Sequence, residues 1–98
     1  MSAVDRKKLL SEIALYILEE LALRGGRARA KYLRSYRALE FWVGEDVAHD
    51  VVKRLAEGGY IKLEQGDVIV LTKEISTKRT IKEIERLSLS IAKSLYKI

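Results

Sequence analysis

The stretch Val51-Val52-Lys53-Arg54-Leu55-Ala56-Glu57-Gly58-Gly59-Tyr60-Ile61-Lys62-Leu63 changes its hydrophobic period at a glycine pair. That change restricts the fold more than any other feature of the chain. Before the pair, Val47, Val51 and Leu55 form one row at helical spacing, and Ala48 and Val52 form the row beside it. The spacing predicts a helix from Gly44-Glu45-Asp46 to about Glu57. Glu45 and Asp46 suit its positive end, and Gly58-Gly59 stop it. After the pair, Tyr60-Ile61-Lys62-Leu63-Glu64 and Val68-Ile69-Val70-Leu71-Thr72 read as strands around Gln65-Gly66-Asp67. A two-residue turn at Gly66-Asp67 pairs Leu63 with Val70 and mixes the faces. A three-residue loop pairs Leu63 with Ile69 and Ile61 with Leu71, which puts the large apolar residues on one face. The three-residue loop is preferred, although its third position would ideally be glycine and is Asp67. Lys62, Glu64, Val68 and Val70 then share the opposite face.

Three further helices are expected. Leu10, Ile13, Ala14, Ile17 and Leu21 recur at helical spacing between Val4 and about Arg24, and Leu9, Tyr16 and Leu18 widen the apolar face. Ser2 or Asp5 caps this helix, and Gly25-Gly26 end it. A second helix is expected from Ala28 to about Leu39, with Leu33, Tyr36 and Leu39 inward and Arg27, Lys31 and Arg34 together on another face. Phe41-Trp42-Val43-Gly44 reads as an aromatic connection, with at least one ring in the core. A last helix, capped by Thr77 or Thr80, runs to the C-terminus with Ile84, Leu87, Ile91, Leu95 and Ile98 in a narrow stripe. The stripe either packs on the first helix or pairs with its copy in a two-fold dimer. The dimer reading makes Ile84, Leu87, Ile91 and Leu95 its interface.

The fold class is therefore α+β: mainly helical, with a small β-hairpin. The run "VGEDVAHDVVKRLAEGGYIKLEQGDVIVLT" (43–72) resembles the third helix and wing of a winged helix-turn-helix domain. In that family a helix ending in Leu-x-x-x-Gly-hydrophobic-Ile runs straight into the wing, as Leu55 to Ile61 do here. The resemblance covers roughly residues 9–75. It implies a winged-helix domain over 1–76 and an added C-terminal helix over 77–98. Most members of the family bind duplex DNA, whereas others bind RNA or only proteins.

Charge supplies the candidate site. The chain has 98 residues and a formal net charge of +5, a weak pointer toward a polyanionic partner. "GGRARAKYLRSYR" (25–37) holds five of the basic residues, and no carboxylate lies between Glu20 and Glu40. Arg27, Arg29, Lys31, Arg34 and Arg37 are the candidates for phosphate contacts, and Tyr32 is a candidate for a phosphate hydrogen bond. The competing reading is a solvated helix face partly neutralised by Glu19, Glu20 and Glu40. In the resemblance, the third helix reads bases, which points to His49, Lys53 and Arg54. Asp46, Asp50 and Glu45 beside them depart from that pattern by repelling phosphates. The wing tip Glu64-Gln65-Gly66-Asp67 is acidic and reads as a solvated turn, with Lys62 and Lys73 near the wing base. Phe41 and Trp42 offer rings for a base or for a partner's pocket.

Other classes find little support. Cysteine is absent and His49 is the single histidine, so no zinc site and no cofactor is expected. No nucleophile elbow, phosphate loop or carboxylate pair is present, and no enzyme is expected. The N-terminus shows neither a signal peptide nor a spanning helix, and a cytoplasmic location is expected. The lack of Asn and the high charge content resemble thermophile proteins. The leading expectation is a homodimeric DNA-binding transcription regulator or architectural factor. The alternative is a protein–protein interaction module within a transcription, replication or translation assembly.

Overall fold

The computed structural model describes residues 3–98. In chain order the elements are helix α1 (Ala3–Leu23), strand β1 (Arg27–Arg29), a 3-10 turn (Ala30–Tyr32), α2 (Arg34–Trp42), α3 (Glu45–Glu57), β2 (Ile61–Glu64), β3 (Val68–Leu71) and α4 (Ile81–Tyr96). The fold is mainly helical with a small three-stranded antiparallel sheet, in the α+β class. Asp5 lies within the first turn of α1, and Ser2, the other cap candidate, lies outside the described residues. No helix among the described residues is long and apolar enough to cross a membrane.

Both glycine pairs end helices by the same device. The Gly26 N–H reaches the Leu21 carbonyl at 2.7 Å and the Gly25 N–H reaches Ala22 at 3.3 Å. After α3, the Tyr60 N–H reaches Leu55 at 3.0 Å and the Gly59 N–H reaches Ala56 at 3.1 Å. Each is a Schellman closure, which needs a left-handed residue just past the helix. Gly25 and Gly59 supply it, with φ of 86° and 80°.

The hairpin has the three-residue loop, with Leu63 opposite Ile69 and Ile61 opposite Leu71. Asp67 takes the position suited to glycine, at φ 59°. Aspartate tolerates this conformation better than most side chains. The inner face is less complete than expected. Ile61 and Ile69 are buried, but Leu63 is exposed.

The expected second helix over Ala28–Leu39 is corrected at its start. Arg27–Arg29 form a strand, Ala30–Tyr32 a 3-10 turn, and α2 begins at Arg34. β1 pairs with β3, so the sheet order is β1-β3-β2. Two physical reasons account for the difference. First, β3 has a second hydrogen-bonding edge beside the one β2 occupies, and Arg27-Ala28-Arg29 pair along it. Arg27 stands opposite Val70 and Arg29 opposite Val68. Second, the cap of α2 comes from a distant residue. Leu33 at the N-cap makes no side-chain cap bond. Glu20, fully buried on α1, instead accepts from the Arg34 N–H at 2.8 Å, the Ser35 N–H at 2.9 Å and the Ser35 hydroxyl at 2.7 Å. A carboxylate at a helix N-terminus satisfies orphan donors and meets the positive end of the dipole. Leu33, Tyr36 and Leu39 face inward, as the spacing predicts. Phe41 and Trp42, expected in a connection, form the last turn of α2.

α4 opens with a capping box: the Thr80 side chain accepts from the Glu83 N–H at 3.1 Å, and the Glu83 carboxylate accepts from the Thr80 N–H at 3.3 Å. Thr77, the other candidate, donates to Glu19 instead. α4 packs against α1 and α2. Ile84 and Leu95, at 0% and 2% exposure, lie inside this packing together with Ala92 and Ser88. Two of the four residues expected at a dimer interface are therefore occupied within the chain, and Leu87 and Ile91 are half-buried. The large apolar side chains that α4 leaves exposed are Leu89 and Tyr96, with Ile98 beyond its end.

Candidate nucleic-acid interface

The segment 27–37 presents its cations from three local structures. Arg27 and Arg29 point from the outer face of the sheet, as their pairing with Val70 and Val68 requires. Lys31 and Tyr32 stand on the 3-10 turn, and Arg34 and Arg37 on the first turns of α2. All five cations are exposed. The expected single helical face for Arg27, Lys31 and Arg34 does not exist, because a strand and a turn precede the helix.

Two of the five are committed inside the chain. Arg27 pairs with Glu64 at 2.7 Å and Arg34 with Glu85 at 2.6 Å. The hydrogen bond to Glu85 also raises the Arg34 pKa. Arg29, Lys31 and Arg37 make no ion pair among the described residues.

Two carboxylates expected to neutralise this surface are turned inward. Glu20 holds the start of α2 and pairs with Arg24 at 2.9 Å. Glu19, also buried, accepts from Thr77 at 2.5 Å and from Arg79 at 2.9 Å. That bond raises the Arg79 pKa. Of the acids near the basic segment, Glu40, Glu64, Asp67 and Glu85 remain at least partly exposed.

α3 presents a mixed face. Glu45, Asp46, His49, Asp50, Lys53 and Arg54 are exposed. Arg54 is held by Asp50 at 3.0 Å, one turn back. The His49 ring lies 6.5 Å from that of Tyr36. Burial, and then the nearby Glu40, Asp67 and Glu45 carboxylates, push the Tyr36 phenol up to about 12. Asp46, His49, Asp50 and Lys53 line a cleft against Leu63, Glu64 and Asp67 of the hairpin. Four carboxylates and one lysine line the cleft, two of the carboxylates (Asp50 and Glu64) paired with Arg54 and Arg27, and an exposed leucine stands at its hairpin side. Lys62 is exposed on the outer sheet face, and the Lys73 ammonium sits 4.5 Å from the centre of the Tyr60 ring. No group of three or more His, Cys, Asp or Glu side chains placed to hold a metal ion occurs among the described residues.

Sequence reasoning did not find Glu20 as the cap of α2. The signal is long-range, and the one local hint is the arrival of Arg34-Ser35 fourteen and fifteen residues later without an N-cap side chain. It also did not find β1, whose hint is the alternation of Arg27-Ala28-Arg29 with an apolar partner strand elsewhere. Comparisons of the chain with protein-family models, with characterised proteins and with solved structures find no match.

Proposed function

We propose that this chain is a winged helix-turn-helix protein that grips duplex DNA by its phosphates, acting as a transcription regulator or architectural factor and performing no chemistry. The order helix, strand, helix, helix, hairpin, with β1 closing the sheet beside β3, supports the winged-helix part of the reading. The observation that carries the binding part is the exposure of five cations over 27–37 while Glu19 and Glu20 face the interior. Arg29, Lys31 and Arg37 are the principal phosphate contacts, because Arg27 and Arg34 already have carboxylate partners. Base reading, if it operates, falls to His49 and Lys53, since Arg54 is drawn to Asp50. The acids at the start of α3 oppose deep entry into a groove, so the reading favours affinity over sequence choice. The test is the affinity of Arg29→Ala/Lys31→Ala/Arg37→Ala for several unrelated duplexes. A similar loss on every sequence supports backbone gripping; unchanged affinity refutes it.

A second reading is favoured by one observation, the acidic cleft with exposed Leu63. A protein partner with a basic, apolar segment fits that cleft better than a phosphate backbone does. Passage through heparin and DNA columns without retention favours this reading over the first.

A further inference from the structure

The groove between α2 and α4 holds a feature that duplex phosphate binding leaves unused. Phe41, at the end of α2, is 80% exposed, and Tyr32 is 67% exposed. Both line one open groove of about 850 Å³ with Trp42 and Leu89. Single exposed apolar residues need no explanation, but a contiguous group of rings does. Trp42 is fixed as a backstop. Phe41 meets it edge-on at 5.6 Å, Tyr96 does the same at 5.6 Å, and the Lys93 ammonium lies 5.4 Å from its ring centre. Phe41 is the most exposed of these rings, and it sits on the last turn of α2.

The same groove is lined by Lys31 and Arg37, both without an ion pair among the described residues. Its third cation, Arg34, is neutralised by Glu85, and Glu40 is the other acid on its walls. With Lys93 beside Trp42, the surface is net positive. That charge disfavours a second copy as the occupant, because a two-fold interface sets a patch against itself. Open flat rings next to unpaired cations suit a chain of bases and phosphates.

We propose that the α2–α4 groove binds unpaired nucleotides, with a base stacked on Phe41 and the adjoining phosphates on Lys31 and Arg37. The protein then prefers a duplex that ends in, or opens into, a single strand. This deepens the nucleic-acid reading above and rests on it.

The experiment measures fluorescence anisotropy at one salt concentration with two probes, a blunt duplex and the same duplex carrying an unpaired tail of about six nucleotides. The tail is expected to tighten binding about tenfold. Phe41→Leu keeps an apolar side chain but has no ring. It is expected to erase the advantage of the tail and leave blunt-duplex affinity unchanged. Phe41→Trp is expected to retain the advantage. Equal binding of both probes by the wild type overturns the groove assignment while leaving the duplex reading intact. Failure to bind either probe overturns both. A wild-type dimer in sedimentation that Phe41→Leu converts to monomer overturns the assignment in favour of a second copy.

Discussion

Replacing Glu20 by glutamine tests the account of how the basic segment is shaped. The Glu20 carboxylate accepts four hydrogen bonds: the Ser35 N–H and hydroxyl on one oxygen, and the Arg34 N–H and Arg24 Nε on the other. Glutamine keeps the volume but turns one oxygen into an NH2 group. With the NH2 toward Arg34 and Arg24, two donors lose their acceptor and face another donor; with it toward Ser35, the Ser35 N–H does, while the Ser35 hydroxyl can turn to accept. The site is fully buried, and a typical intramolecular bond is worth about 1 kcal/mol, more when charge-assisted. Donors left unpaired cost further desolvation, so the total is about 3–4 kcal/mol. That is a large share of the roughly 5–15 kcal/mol expected for a domain of this size. At about 4–8 °C per kcal/mol it lowers Tm by about 12–32 °C. Urea and thermal unfolding followed by circular dichroism read it. Ser35→Ala removes one donor together with its demand and is expected to cost only about 1 kcal/mol. A Glu20→Gln stability within about 0.5 kcal/mol of wild type refutes the claim that this carboxylate sets the start of α2.

Thr80→Ala deletes the acceptor in the capping box of α4 and is expected to destabilise the protein by about 1 kcal/mol in chemical denaturation. Tyr36 predicts an alkaline signature. Its folded-state pKa of about 12 exceeds the ordinary 10.0, so the folded state holds the neutral phenol. The associated stability is fully present below about pH 10 and is lost as the pH rises through about 12. Wild-type stability should therefore fall more steeply than that of Tyr36→Phe in this window, by on the order of 1 kcal/mol per pH unit. Parallel pH profiles contradict it.

The parts of the fold that local chemistry specifies were legible in the sequence. The period change at Gly58-Gly59 placed α3 and the hairpin, and the apolar alternation chose the register of Leu63 with Ile69. α1, and Thr80 as one of two cap candidates for α4, were equally readable. The start of α2 was not, because its cap comes from Glu20 across the core and no neighbouring side chain announces it. β1 is too short to show a pattern alone. It is defined only by its pairing with β3, a strand about forty residues away. The stripe on α4 was legible as apolar, but periodicity does not say whether such a face meets its own chain or another. The packing of Ile84 and Leu95 on α1 and α2 accounts for those two residues of the stripe. For the candidate site, the cations were visible as composition. Which of them are already paired depends on Glu64 and Glu85, which lie 37 and 51 residues along the chain from Arg27 and Arg34 and are brought close only by the fold.

The salt dependence of duplex binding tests the central claim most directly. Each phosphate neutralised by a lysine or arginine contributes about −0.9 to the slope of log Kobs against log salt. With Arg29, Lys31 and Arg37 in contact, the account predicts a wild-type slope of about −3 or steeper. The triple alanine variant should be flatter by about that amount, if it binds at all. A flat wild-type slope, or one that the triple variant leaves unchanged, contradicts the account.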